Sequence, residues 1–139
     1  MMGQKDHHAR KNNNSSNKYI LAVDDDSDIV TLIQLSLQKH GFEVSTFTDP
    51  FKALEDCRVN CNDCSLILSD IRMPGINGYE FIKQVKKINP KVKVILMTAF
   101  VIEDKEFHNV LPDIKVDAFL QKPFSIAQLN DIIKKIIQH

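Results

Sequence analysis

The sequence lacks long apolar runs, and this shortage limits where the protein can reside. No stretch approaches the roughly 18 consecutive apolar residues of a membrane-spanning helix. Residues 1–17 are polar, whereas a secretory signal needs an apolar stretch near the N-terminus. We therefore expect a cytoplasmic protein with no membrane insertion.

Cysteine is also scarce, and the three present lie close together at Cys57, Cys61 and Cys64. An odd number of cysteines in a chain without an export signal favours reduced thiols over disulfides. No fourth ligand with suitable spacing lies nearby, so a structural zinc site is the weaker interpretation. We expect solvated or half-buried thiols.

The chain carries no net charge, but its charges are unevenly distributed. Residues 1–18 carry +3, which leaves −3 for the remainder. Because phosphate backbones are bound by clustered basic faces, a mildly acidic domain argues against direct DNA binding. Residues 1–17 have almost no apolar side chains and are predicted to be a disordered polar tail. Residues 18–139 are predicted to form one folded domain.

From Tyr19 onward, short apolar runs alternate with longer segments of helical periodicity. This pattern is typical of βα units around a parallel sheet, so the predicted fold class is α/β with five strands and five helices. Nearly continuous apolar runs predict strands buried on both faces at residues 19–23, 65–69, 92–97 and 118–121. Residues 43–47 instead alternate between apolar and polar, which predicts an edge strand.

Start and stop signals place the five predicted helices between and after these strands. The first predicted helix has an apolar stripe from Ile29 to Leu37 and ends at Gly41, and the second begins at Asp49 and Pro50. The third has an apolar stripe that ends at Asn89 and Pro90, while the fourth, over residues 102–111, is poorly marked. The fifth begins with a capping box of Ser125 and Gln128.

Polar side chains directly follow four of the five predicted strands. They are Asp24, Asp25 and Asp26 after the first strand, Asp70 after the third, Thr98 after the fourth and Lys122 after the fifth. In an open parallel sheet the ligand crevice lies beyond the carboxyl ends of the strands, where the strand order reverses. If the strand order is 2-1-3-4-5, Asp24, Asp25 and Asp70 would converge in that crevice.

Such an arrangement of residue types suits phosphoryl transfer. Neighbouring carboxylates repel one another unless a cation or a shared proton offsets their charge. Mg²⁺ prefers oxygen ligands and usually takes one or two carboxylates together with phosphate oxygens. Lys122 can pair with a carboxylate and then with a phosphoryl oxygen, and the Thr98 hydroxyl can donate a hydrogen bond. The predicted cofactor is therefore Mg²⁺.

Four segments carry a more specific pattern: YILAVDDD at 19–26, LILSDIRMPGING at 66–78, VILMTA at 94–99 and FLQKPF at 119–124. Together they resemble the response-regulator receiver domain of two-component signalling, over residues 18 to about 138. The resemblance implies a flavodoxin-like, doubly wound (βα)5 fold with strand order 2-1-3-4-5. Since no output domain follows the last predicted helix, the stand-alone, single-domain type is expected.

The resemblance also implies roles at individual positions. Asp70 is similar to the aspartate that takes a phosphoryl group from the phosphohistidine of a histidine kinase or a histidine phosphotransfer protein. Asp24, Asp25 and Asp70, with the backbone carbonyl of Arg72, resemble the Mg²⁺ ligands. Thr98 resembles the hydroxyl that contacts the phosphoryl group.

Further implied roles concern the change of shape after phosphorylation. Lys122 resembles the lysine partner of the phosphoryl group, and Phe119 occupies the aromatic switch position. If phosphoryl oxygens draw Thr98 inward, the Phe119 ring can fill the vacated space. The face formed by the fourth predicted helix (residues 102–111), the fifth strand and the fifth predicted helix can then bind an unknown downstream protein. The bond before Pro123 is one that the family often holds in cis.

Two alternative functions stay open at this point. Whether the protein is to be classed as an enzyme is also open. A receiver catalyses its own phosphorylation and dephosphorylation but is mainly a signalling switch. One alternative is a haloacid-dehalogenase-like phosphohydrolase, in which Asp24 would be the nucleophile. The other is a receiver fold that is not phosphorylated and serves purely as a binding module.

Overall fold

A computed structural model describes residues 19–99 and 114–137, and these residues build an open sheet of five parallel strands in the order β2-β1-β3-β4-β5. The strands are β1 Tyr19–Val23, β2 Glu43–Phe47, β3 Cys64–Asp70, β4 Lys93–Thr98 and β5 Ala118–Gln121. The helices of the described ranges are α1 Ser27–Gln38, α2 Pro50–Asn60, α3 Gly78–Ile88 and α4 Ile126–Ile137, with a short 3-10 turn at Cys61–Asp63. The predicted flavodoxin-like, doubly wound fold is confirmed.

The sheet separates two apolar cores because β1, β3 and β4 are buried on both faces. Leu21 and Ile67 point to the side covered by α2 and α3, where Phe81 is fully buried. Ile20 and Leu66 point to the other side, which α1 and α4 cover. This arrangement explains why the inner strands appear in the sequence as almost uninterrupted apolar runs.

The strand predictions agree closely with the structure. The bounds predicted for β1, β2 and β5 are those observed, while β3 and β4 differ by one residue at each end. The edge position predicted for residues 43–47 is also confirmed, since β2 pairs only with β1 among the described strands. The predicted tail at 1–17 and the predicted helix at 102–111 lie outside the described residues and remain predictions.

Side-chain caps fix the starts of the helices. Asn77 Oδ1 accepts a hydrogen bond from the Glu80 backbone N–H at the start of α3, at 2.9 Å. At the start of α4, Ser125 and Gln128 form the predicted capping box, with the two backbone-to-side-chain bonds at 2.8 and 3.1 Å. Both caps satisfy N–H groups that have no partner within their helix. Within the described ranges, no helix is long and apolar enough to cross a membrane.

The expectation of solvated or half-buried thiols is wrong for two of the three cysteines. Cys57 is 1% exposed and Cys64 is 5% exposed, and neither forms a disulfide. Cys57 lies on the face of α2 that packs against the sheet, and Cys64 begins β3 within the same core. Both side chains therefore pack as small residues of the core, and the Cys64 thiol also donates to the Leu66 carbonyl at 3.2 Å. The side chain of Cys61 lies outside the described part of the structure.

Candidate functional site

The carboxyl ends of β1 and β3 bring three carboxylates together. Val23 pairs with Ser69 in the parallel register, so the residues that follow them, Asp24 and Asp70, leave the sheet side by side. One oxygen each from Asp24, Asp25 and Asp70 lies within 4.8 Å of the others. After β1 the chain continues to β2 on one side, whereas after β3 it continues to β4 on the opposite side. The gap between β1 and β3 is therefore the topological switch point of the sheet.

Asp24 is the innermost of the three carboxylates and has no exposed surface. Its Oδ1 accepts a hydrogen bond of 2.9 Å from the Asp26 backbone N–H. Its Oδ2 lies 2.6 Å from Nζ of Lys122. Burial raises the pKa of Asp24, and the contact with Lys122 offsets only part of that increase. A negative charge is therefore held here at an energetic cost.

Asp70 ends β3 and is 8% exposed, so one side of its carboxylate can meet a reactant. Burial, followed by the nearby charge of Asp24, raises the pKa of Asp70 to about 6, although Lys122 opposes the shift from 3.4 Å. The carboxylate remains mostly ionised at neutral pH. It is therefore available as a nucleophile or as a ligand for a cation.

Lys122 connects the two buried acids. Its backbone N–H donates to the Thr98 carbonyl at 2.7 Å, which continues the β4–β5 pairing and directs the side chain over the crevice. Burial lowers the pKa of Lys122, but its contacts with Asp24 and Asp70 outweigh burial, and the net shift is upward. The ammonium group therefore stays charged. The bond between Lys122 and Pro123 is cis, as the sequence resemblance implied.

The three consecutive aspartates after β1 have different structural roles. Asp25 is exposed and contributes an oxygen to the acidic group. Asp26 instead caps α1, because its Oδ1 accepts the Asp28 backbone N–H at 2.9 Å. Asp26 is therefore committed to starting the helix that follows the site.

Thr98 and Phe119 lie on the same side of the sheet. Thr98 ends β4 and is 4% exposed. Phe119 pairs with Leu96 on β4 and packs against the core on the side of α2 and α3. Because strand side chains alternate, Thr98 shares the face of Leu96 and hence that of Phe119. Arg72 is exposed in the loop after β3, two residues beyond Asp70.

Two further residues support Asp70, and the sequence analysis gave neither of them a role. Gly78 N–H donates to the Ile71 carbonyl at 2.7 Å, and a Cβ at Gly78 would lie 2.3 Å from the Asp70 carbonyl oxygen. Ser69 is fully buried and donates its hydroxyl to the same Asp70 carbonyl at 2.9 Å. A serine between an apolar run and Asp70 is the sequence signal that points to such a role.

The donor set suits a small, hard divalent cation. All three grouped residues offer carboxylate oxygens, and neither sulfur nor imidazole is among them. Such a set favours Mg²⁺ over zinc or copper. The arrangement places a nucleophilic carboxylate, a cation-binding pair and an ammonium group around one point, which is what the transfer of a phosphoryl group requires.

Comparisons with known proteins agree with this geometry. The family model described as the response regulator receiver domain matches residues 20–134. The chain is 35% identical over 122 residues to the alkaline phosphatase synthesis transcriptional regulatory protein PhoP of Bacillus subtilis, which covers 87% of this chain and 49% of PhoP. The chain thus spans about half the length of that relative.

Solved structures show the same likeness. A CheY-like response regulator receiver domain protein from Methanospirillum hungatei superposes with a TM-score of 0.78 at 27% identity, covering 88% of this chain and 95% of that one. The response regulator TrrA of Thermotoga maritima, solved in complex with Mg²⁺ and BeF, gives a TM-score of 0.71 at 31% identity, covering 86% and 98%. Since the family model covers the acidic group and all of the sheet except Tyr19, this chain belongs to the response regulator receiver domain family.

Proposed function

We propose that this domain is a phospho-acceptor whose Asp70 receives a phosphoryl group from a phosphohistidine of a sensor histidine kinase or a histidine phosphotransfer protein. The observation that carries the proposal is the convergence at one point of Asp70, Asp24, Asp25 and the Lys122 ammonium group. Receiver domains of two-component systems supply the context for a signalling role. Each of the four residues then has a separate task.

The transfer itself needs only one new bond. A carboxylate oxygen of Asp70 attacks phosphorus, and the bond between phosphorus and the imidazole nitrogen of the donor breaks. The electron pair returns to the imidazole, which accepts a proton, and Asp70 becomes an acyl phosphate. Lys122 lies 3.4 Å from the Asp70 carboxylate and can follow the charge onto a phosphoryl oxygen.

Asp24, Asp25 and Asp70, with the backbone carbonyl of Arg72, would hold Mg²⁺. When bound, the ion would neutralise the negative charge that gathers on the phosphoryl oxygens. The all-carboxylate donor set supports this assignment. The Mg²⁺ and BeF in the TrrA structure offer a precedent in a similar chain.

Thr98 and Phe119 would report the phosphorylation state. The Thr98 hydroxyl would donate to a phosphoryl oxygen and move inward, and the Phe119 ring would follow it. Their common side of the sheet supports this coupling. The changed face around β5 and α4, together with the predicted helix over residues 102–111, would then bind the downstream protein.

Intact-mass spectrometry tests the acceptor role most directly. The protein is incubated with Mg²⁺ and a small phosphodonor such as phosphoramidate, and then with a histidine kinase if the small donor gives no product. Wild type should gain the mass of one phosphoryl group, while Asp70→Asn should not. Asp26→Asn is a matched control, because Asp26 caps α1 outside the acidic group. A gain that persists in Asp70→Asn would defeat the proposal.

The same experiment separates the alternatives, neither of which the family match favours. Labelling of Asp24, located by peptide mapping, would indicate the phosphohydrolase chemistry. No labelling by any donor or kinase would leave only the binding module.

We further propose that residues 18–139 are the receiver domain, that residues 1–17 are a polar tail, and that the protein is cytoplasmic. We also propose that the domain does not bind DNA directly, because the net charge outside residues 1–18 is −3.

A further inference from the structure

A lysine-lined groove lies at the end of the sheet opposite the acidic group. Its volume is about 410 Å³, and its lining residues are Lys83, Lys86, Lys87, Pro90, Ile114 and Lys115. The groove lies between the C-terminal half of α3 and the segment that leads into β5. Since β4 has six residues and rises about 3.3 Å per residue, roughly 20 Å separates this groove from the carboxyl end of the sheet.

The charge density of this groove is unusual for the domain. Four lysines line it, and the charge of a fifth, Lys93 at the start of β4, also acts on Lys86. Residues 19–139 nevertheless have a net charge of −3, so positive charge is concentrated here in an otherwise acidic surface. Such a local concentration attracts an anionic partner.

The groove is held in shape by bonds to the backbone. Lys86 Nζ donates to the Val92 carbonyl at 2.7 Å, which fixes the turn between α3 and β4. Asp117 accepts the Val94 backbone N–H at 2.8 Å, and its own N–H donates to the Val94 carbonyl at 2.8 Å. The two walls are therefore tied to the start of β4 and to the residue before it, and they present a preformed surface.

Among the described residues, Asp117 offsets the positive charge of these lysines only in part. Asp117 Oδ1 lies 3.9 Å from Nζ of Lys115, whose side chain is 77% exposed. Burial lowers the pKa of Lys86; the charge of Asp117 opposes this shift, and the smaller effects of Lys115 and Lys93 add to it. A further anion in the groove would relieve this repulsion.

We infer that this groove docks an acidic segment of a partner protein, one that carries carboxylates around an apolar side chain. The carboxylates would meet Lys83, Lys87 and Lys115, while the apolar side chain would rest on Ile114 and Pro90. A nucleic acid fits less well, because its binding needs a basic surface that follows successive phosphates, whereas these lysines surround one short groove. The site is separate from Asp70 and independent of its phosphorylation.

Fluorescence anisotropy tests this inference with three labelled probes. They are a short peptide of glutamate and leucine, the same peptide with lysine in place of glutamate, and a DNA duplex of similar negative charge. The test variant is Lys83→Gln/Lys87→Gln, in which both substituted side chains are exposed. The matched control is Lys134→Gln/Lys135→Gln on α4, on the other side of the sheet, which removes the same charge from exposed positions.

The acidic peptide should bind wild type and Asp70→Asn alike, and its affinity should weaken with added salt. The test variant should raise its Kd by about fivefold to tenfold, whereas the control should change it by less than about twofold. Absence of acidic-peptide binding to wild type would overturn the inference. So would equal weakening in the two variants, tighter binding of the duplex, or equal binding of the lysine peptide.

Discussion

The Nζ atom of Lys122 lies 2.6 Å from Oδ2 of Asp24, a carboxylate with no exposed surface. The two residues come from the far ends of the described chain and meet only because β1 and β5 end at the same edge of the sheet. Lys122 thereby compensates a negative charge at a position with no exposed surface. Breaking this ion pair by removing one partner leaves an uncompensated buried charge.

Lys122→Met should therefore destabilise the fold, and more strongly at high pH. Because the Lys122 side chain is 18% exposed and water can replace part of its effect, we expect a loss of about 2 kcal/mol near pH 8. Without the ammonium group the pKa of Asp24 rises further, so protonation of Asp24 should relieve part of the loss near pH 5. Urea unfolding at both pH values measures the difference. Lys134→Met, at an exposed position of α4, is the control, and an equal loss at the two pH values would contradict the prediction.

Asp70→Asn should stabilise the protein in the absence of divalent cations. The pKa of Asp70 is raised to about 6 from 3.8, so the folded state binds this proton more tightly than the unfolded state. Stability then falls as pH rises from about 4 to about 6, and the ionised carboxylate remains unfavourable above that range. The asparagine should recover about 1–2 kcal/mol at neutral pH and nothing below about pH 4.

Thermal unfolding in a chelating buffer measures this gain, and Asp131→Asn, at an exposed position of α4, is the control. Adding Mg²⁺ should reverse the order of stability. Wild type should gain because only the folded state presents the grouped carboxylates, whereas Asp70→Asn should gain less. If wild type were more stable than Asp70→Asn in the chelating buffer, the ionised Asp70 carboxylate would not be destabilising in the folded state.

The sequence was most informative where burial is uniform. The inner strands are covered on both faces, so their apolar runs identify the strands of the sheet. The acids that follow these strands lie at one edge of the sheet regardless of the conformation of the loops. The sequence was less informative where the outcome depends on tertiary contacts. Cys57 is buried because of the face of α2 that it occupies, Asp26 is used as a cap, and Gly78 touches the Asp70 carbonyl. None of these contacts follows from residue type and spacing alone.

Gly78→Ala should damage both the fold and the site. An added Cβ would lie 2.3 Å from the Asp70 carbonyl oxygen and 2.9 Å from Cα of Ile71, and both neighbours are backbone atoms that cannot rotate away. We expect a loss of about 2 kcal/mol or more. The shift of Asp70 should also weaken Mg²⁺ binding, measured by titration calorimetry at a temperature where the variant is folded. The control is Gln84→Ala, at a partly exposed position of α3, which should leave stability and Mg²⁺ affinity nearly unchanged. Unaltered Mg²⁺ affinity in Gly78→Ala would show that the contact between Gly78 and the Asp70 carbonyl does not position Asp70.

Tyr19→Phe should destabilise the protein without affecting phosphorylation. The Tyr19 hydroxyl donates to Oδ2 of Asp56 at 2.6 Å, and the Asn60 side-chain amide donates to the other oxygen at 3.1 Å. Burial, followed by the bond to Asp56, raises the pKa of Tyr19, so the hydroxyl keeps its proton across the usual pH range. Removing it leaves a 5% exposed carboxylate with one donor fewer, which should cost about 1–3 kcal/mol in urea unfolding. The same change in an Asp56→Asn background should cost less, because a neutral amide needs the donor less. Equal costs in the two backgrounds, or a slower phosphoryl gain at Asp70, would contradict a purely structural role at this end of the sheet.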